Sequence, residues 1–245
     1  MKKSLTSVFF FVVATALVLL CVVAAVRALT RGEVATAVVP TGIALAFLGV
    51  ESALVRILAG KVKPRAEVED HQTTIRPDLI VDRLFLYATV VAVLAVAVYA
   101  VFAPRGEIDL PVPYGSQRTW TIAAIVLTLT GLGNLWILFK RGGNSLQRLS
   151  PQGFELGQGV SSVEGRWEDV VDIADRREGR PPPVRHTLFV KFSDGKVRTQ
   201  AIDSYTPGGD ALRRLVRFYW INADRRDELA DGRALQRLAE FESAT

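Results

Sequence analysis

The sequence has one cysteine, Cys21, one methionine and two histidines, His71 and His186. A disulfide framework needs paired thiols, and a multi-cysteine zinc or iron–sulfur site needs several thiolates together, so both are excluded. Also missing are a Ser/His/Asp set, a paired-carboxylate motif and a Gly-rich phosphate loop. The expectation is therefore a protein that is not an enzyme and carries no cofactor or metal. Charge is scarce as well: 22% of the 245 residues are charged, 49% are hydrophobic and the mean hydropathy is +0.24. Such a composition does not fit an ordinary soluble single-domain enzyme.

What is present divides at Lys140. Residues 1–140 hold 13 basic and 9 acidic side chains, and 141–245 hold 17 and 16. The positive excess thus belongs to the apolar half, which contains four runs of membrane-spanning length. Val8–Val26 is uncharged and follows Lys2 and Lys3. At about 1.5 Å per residue it covers roughly the 30 Å of a hydrocarbon core. A cleavable signal peptide is the competing reading of this first run, although the run exceeds the usual apolar region of about 7–15 residues. The second run, residues 34–58, contains Pro40, Gly42, Gly49 and Glu51. Pro40 predicts a kink, and the glycines permit close approach of a neighbouring helix. Leu84–Ala103 and Trp120–Phe139 are uncharged throughout, with Tyr87, Tyr99, Trp120 and Trp136 towards their ends, where amphipathic rings settle at an interface.

With the N-terminus inside, eleven basic residues precede, connect or follow the runs on the inner side: Lys2, Lys3, Arg56, Lys61, Lys63, Arg65, Arg76, Arg83, Lys140, Arg141 and Arg148. The outer set is Arg27, Arg31, Arg105 and Arg118. The bias predicts a multi-pass protein of the cell membrane with both termini in the cytoplasm. The domain boundaries read from this are 1–140 for the spans and 141–245 for a cytoplasmic domain, joined by the short linker Gly142-Gly143-Asn144-Ser145.

In the tail the pattern becomes short strands between turn signals: Leu146–Leu149, Phe154–Leu156, Val160–Val163, Trp167–Ala174, Thr187–Phe192 and Val197–Ile202. Ser193-Asp194-Gly195 marks a hairpin, because Asp-Gly suits the positive φ angles of a tight turn. The period then changes. Asp210–Asn222 places Leu212, Leu215, Val216 and Tyr219 on one helix face and Arg213, Arg214 and Arg217 on the other. Two shorter helices are expected at Arg225–Leu229, with Asp224 as its N-cap, and at Arg233–Phe241.

Leu149-Ser150-Pro151-Gln152-Gly153-Phe154, Gly165-Arg166-Trp167-Glu168-Asp169-Val170, Phe192-Ser193-Asp194-Gly195-Lys196 and the helix from Asp210 together resemble the pleckstrin-homology-like (PH-like) domain of bacteria. Tyr219-Trp220 and Arg225-Arg226-Asp227-Glu228-Leu229 further resemble actinobacterial integral membrane proteins that carry such a domain. The resemblance covers the tail and leaves the four-span half unassigned. It implies a small α+β domain, a short-stranded antiparallel barrel with a C-terminal helix, used for binding lipid head groups, peptides or proteins. No compact Lys/Arg pair occupies Pro151–Phe154, so phosphoinositide binding is not carried over.

Candidate contact residues follow from charge. Arg176, Arg177, Arg180 and Arg185 surround Pro181-Pro182-Pro183, a basic, stiffened loop worth about 1 kcal/mol per arginine beside an anionic leaflet. The competing reading is a solvated hairpin loop. Arg213, Arg214 and Arg217 form a basic helix face for lipid or partner, against a solvated face with local pairs. Even spread of sign across the tail argues against nucleic acid. Glu67, Glu69, Asp70 and His71 read as a solvated loop rather than a metal site. Within the spans, Glu51 and Asn134 are functional candidates by default, weighed against interfacial solvation for Glu51 and helix-to-helix hydrogen bonding for Asn134. The expectation is a non-enzymatic membrane protein whose cytoplasmic domain binds a protein or lipid partner, or a second copy, at the inner surface. The alternative is a small transporter or channel regulated by that domain.

Overall fold

The computed structural model describes residues 4–109, 116–159, 161–175 and 186–244, with side chains from Val8 onward. The chain divides into two compact units, residues 1–53 with 83–142, and residues 54–82 with 143–245.

The first unit is built from helices. These are α1 (Ser4–Thr30), α2 (Val34–Leu58), α3 (Leu79–Phe102) and α4 (Gln117–Arg141). All four are long and apolar enough to span a bilayer, which makes the chain a multi-pass membrane protein by length and composition. Helix α2 matches the expected run, while α1, α3 and α4 extend a few residues beyond theirs at one or both ends. Pro40 lies inside α2, which is continuous on both sides of it. Glycine sets the helix spacing. A Cβ on Gly42 would stand 2.6 Å from that of Ala95 on α3, and one on Gly131 of α4 would stand 2.4 Å from Val93 Cγ2, so both contacts exist only because the side chain is hydrogen. The hydroxyls of Thr41, Thr89, Thr128 and Thr130 donate to carbonyls one turn back in their own helices, which satisfies them without water.

The second unit is a small sheet-rich fold. Strands β1 (Arg65–Glu69), β2 (Gln72–Arg76), β3 (Ser145–Leu149), β4 (Gly153–Gln158) and β5 (Ser161–Arg166) form an antiparallel sheet in sequence order. Strands β6 (Val170–Ala174), β7 (Thr187–Phe192) and β8 (Val197–Ala201) form a second. Helices α5 (Asp210–Ile221), α6 (Glu228–Asp231) and α7 (Arg233–Ser243) follow. The tail strands and α5 lie close to where the sequence places them, except that Trp167–Asp169 form a 3-10 turn and β6 begins only at Val170, and Val160 lies outside the described residues. The strands close into two sheets of five and three rather than into one hydrogen-bonded barrel.

The domain boundary differs from the sequence expectation. The loop holding Glu67, Glu69, Asp70 and His71 is a hairpin, with Asp70 and His71 at φ 49° and 59° as its two-residue turn. This pair of positive φ values is what a twisted two-residue hairpin needs. The hairpin then pairs with the tail through Thr73–Leu149 and Ile75–Gln147. The 141–245 segment is therefore short of two strands, while Gly142-Gly143-Asn144 joins the end of α4 at Arg141 to the start of β3 at Ser145.

One core joins both sheets and the helices. Ile75, Leu149 and Phe154 from the first sheet, Leu188 and Val190 from the second, and Leu212, Leu215, Val216 and Tyr219 from α5 are all buried in it. Leu188 and Val190 point inward while Lys191 is exposed, so β7 alternates. Trp167 is buried against Phe154 with ring centroids 5.0 Å apart, and its Nε1 donates to Ser150 O at 2.8 Å. Gly165 leaves room for the rings of Phe154 and Phe192, each 2.8 Å from where a Cβ would stand. Asp224 does not cap a helix as expected: it lies within a short 3-10 turn after Asn222, and Asp227 precedes α6 without a side-chain cap.

A fragment of residues 143–245 lacks Ile75 and the β2 edge, so it should bind a hydrophobic dye and melt at a lower temperature than the same fragment preceded by residues 64–77 through a short Gly/Ser linker. Equal melting of the two would show that the hairpin adds nothing to the core.

Candidate functional site

Three polar constellations organise the second unit. The first forms where the chain leaves α2 and starts α3. Asp78 is 3% exposed, and its carboxylate accepts from Arg56 Nε at 2.8 Å and Nη2 at 3.0 Å, from the Lys63 amide at 3.0 Å, and from the Ile80 and Val81 amides at 3.0 Å each. The last two are unsatisfied donors of the first turn of α3, so Asp78 is its cap. Burial alone would raise the Asp78 carboxyl, but the hydrogen bonds from Arg56, Val81 and Lys63 and the Arg56 charge outweigh it and hold the group at about 2. One turn on, Asp82 accepts from Arg65 Nη2 at 3.0 Å and the Asn144 amide at 2.9 Å. The start of α3 is thereby tied to β1 and to the residue ahead of β3.

The second constellation locks the C-terminal helices. Glu228, 2% exposed, accepts from Arg237 Nε at 2.8 Å and Nη2 at 2.9 Å and from the Tyr219 hydroxyl at 3.0 Å. Burial opposes its charge, yet the Arg237 and Tyr219 hydrogen bonds keep the carboxyl below its ordinary range. Burial, and then the bond to Glu228, push the Tyr219 phenol up. Arg226 stacks 5.4 Å from the Trp167 ring and donates to Tyr219 O and Glu168.

The third crosses between the sheets. Gln147 on β3 donates to Gln200 Oε1 on β8 at 2.6 Å, while Gln200 Nε2 reaches Gly157 O at 3.2 Å and the Tyr205 hydroxyl at 3.0 Å. Tyr205 also meets Ser145 Oγ at 2.6 Å, and burial raises its phenol. Gln147 Oε1 is buried without a hydrogen-bond partner among the described residues. Beside this network, between the free edges of β5 and β8, lies a cavity of about 440 Å³ lined by Leu156, Gln158, Val163, Arg198 and Thr199.

The sequence-derived candidates separate. Arg213 is paired with Asp210 at 2.6 Å and Asp175 at 3.4 Å, whereas Arg214 and Arg217 are exposed on the same helix. Arg176, Arg177, Arg180 and Arg185 lie outside the described residues. Glu51 accepts from Thr15 Oγ1 of α1 at 3.2 Å, so it has a partner on a neighbouring helix beyond interfacial solvation. Asn134 Oδ1 is buried without a hydrogen-bond partner among the described residues. Among the described residues no group of three or more His, Cys, Asp or Glu is placed to hold a metal.

The sequence reading missed Asp78, Asp82 and the Gln147–Gln200 pair. Pro77-Asp78 directly ahead of an apolar helical run is an N-cap signature and marks Asp78. Nothing local marks Asp82 or the glutamines. Compared with models of known protein families, with curated proteins and with solved structures, the chain finds no match.

The carboxyl of Asp78 falls from its ordinary 3.8 to about 2 on folding. Its stabilisation is therefore complete above the unfolded value and is lost as pH falls through the folded one, a loss of about 2 kcal/mol. Wild-type protein should lose stability between pH 4 and 2 in denaturant melts, and Asp78→Asn should be weaker at pH 7 and flatter across that window. For the buried pair, Glu228→Gln should cost about 3–5 kcal/mol by leaving Arg237 uncompensated. Adding Arg237→Met should recover part of that loss, and a double variant no better than the single would contradict the pairing.

Proposed function

We propose that this chain is a non-enzymatic integral membrane protein whose PH-like domain, on the cytoplasmic side, binds a protein partner at the inner membrane surface. The observation that carries the reading is the arrangement of the second unit: two antiparallel sheets and an amphipathic helix around one core, with its chain running directly out of α2, into α3 and out of α4. Short antiparallel tail strands followed by an amphipathic helix are what the resemblance to bacterial PH-like domains implies, and the β1–β2 hairpin is an addition to that pattern.

A protein partner is favoured over a lipid surface by how several arginines among the described residues are used, although Arg214 and Arg217 are exposed. Arg148 is held by Glu155 at 2.8 Å, Arg213 by Asp210, Arg226 by Glu168 and Arg237 by Glu228. Such pairs weaken attraction to an anionic leaflet, which relies on clustered uncompensated charge. The four-helix half serves as the anchor and the positive-inside bias sets its direction. The second reading, a small transporter or channel, is favoured by the Glu51–Thr15 contact and the unpaired Asn134 oxygen inside spans.

Orientation is tested with Cys21→Ala and Ser243→Cys. An impermeant thiol reagent should label Ser243→Cys only after the cells are lysed; labelling in intact cells overturns the cytoplasmic placement. Function is tested with a photocrosslinking amino acid at Arg214 and at Thr199 of the full-length protein in its native membrane. A discrete adduct to one membrane-associated protein is expected. Adducts to lipid alone, or solute flux in proteoliposomes that Glu51→Gln abolishes, would replace the reading by a lipid-binding or transport function.

A further inference from the structure

We propose that the seam between β5 and β8 is the docking site for that partner, which enters as an extended acidic segment and adds to the free strand edges in β conformation. This rests on the reading of the sheet unit as a protein-binding module, and it specifies the place and chemistry of binding.

The backbone bonds fix which groups face the seam. Ser150 N donates to Gly153 O and Gly159 N to Asn144 O, at 2.8 Å each, so odd-numbered β4 residues turn their amides and carbonyls towards β3. Even-numbered ones turn towards β5, where they pair with Ser161, Val163 and Gly165. Ser162, Glu164 and Arg166 must then present theirs outward. On β8, Phe192 N donates to Lys196 O and Ile202 N to His186 O, which sets the β7-facing residues as Arg198 and Gln200. Val197, Thr199 and Ala201 present theirs outward. Both strands end their sheets, and among the described residues no strand lies on either edge.

Unpaired edges of this kind are templates for strand addition, with main-chain bonds giving affinity and alternate side chains giving specificity. The cavity of about 440 Å³ between the two edges supplies room for the guest, and its lining supplies the selectivity. Leu156 and Val163 give an apolar patch, and Gln158 and Gln200 give polar groups. Arg198 is the cation of the lining and is exposed; among the described residues it forms no salt bridge, although the charge of Asp194 in the β7–β8 turn reaches it. Its charge therefore selects a carboxylate on the incoming segment. The floor of the seam is held by the Gln147–Gln200 bond.

The test uses full-length protein in lipid nanodiscs and an acetylated pentapeptide of threonine and valine with a central aspartate. Two controls carry a central lysine or N-methylated alternate amides. The aspartate probe should slow amide exchange in residues 161–166 and 197–201, and both controls should bind at least about tenfold more weakly. Arg198→Glu should reverse the preference towards the lysine probe while leaving the melting temperature unchanged. Protection elsewhere, equal binding to Arg198→Glu, or equal binding of the N-methylated probe overturns the proposal. If the aspartate probe does not bind while photocrosslinking at Arg214 still gives a protein adduct, the seam is wrong and the partner-binding reading stands. If neither gives a result, both fall.

Discussion

The Asp78 carboxylate is the constraint on which the second unit depends. It gathers the guanidinium of Arg56, the amide of Lys63 and the first free amides of α3 around one charge. Each of those donors would otherwise be left without a protein partner at a point where the chain changes from helix to strand and back. A carboxylate buried among so many donors is stable only as an anion, and the donors in turn fix the direction in which the hairpin β1–β2 leaves and returns. Asp82 repeats the device one helical turn later, with Arg65 from β1 and the amide of Asn144 ahead of β3. Between them the two aspartates bring the hairpin and the tail into register, so that Ile75 can enter the core beside Leu149.

Much of this was legible in the sequence. The four spans follow from uncharged runs, and the tail strands from turn signals such as Ser193-Asp194-Gly195. Helix α5 follows from the spacing of Leu212, Leu215, Val216 and Tyr219. These are local patterns, fixed by the period of the element itself. The hairpin β1–β2 was not legible for two reasons. Its turn, Asp70-His71, carries no glycine, and its pairing partner β3 lies beyond two membrane-length helices. A strand whose neighbour is that distant leaves no trace in a window of a dozen residues.

The polar interior was hidden for a related reason. Gln147 and Gln200 occupy inward positions of their strands, where alternation leads one to expect apolar side chains. They are tolerated because each meets the other across the sheets, and that meeting depends on tertiary structure alone. The free edges of β5 and β8 are likewise invisible until register and hydrogen-bond parity are known. For Arg213 the reading as a helix face with local pairs is the one the structure shows, since Asp210 at the helix start and Asp175 at a strand end both approach it.

The pairing of β2 with β3 also sets an order of events on the ribosome. The hairpin is synthesised first, and the roughly seventy residues between Ile75 and Gln147 include all of α3 and α4. At about 5–20 residues per second, its open β2 edge waits roughly 4–14 s for a partner strand. During that interval Asp78 and Arg56 are already synthesised, since both precede α3. The ion pair can therefore hold the hairpin's base together before there is a sheet for it to join, and the edge it leaves open is the surface a chaperone would meet first.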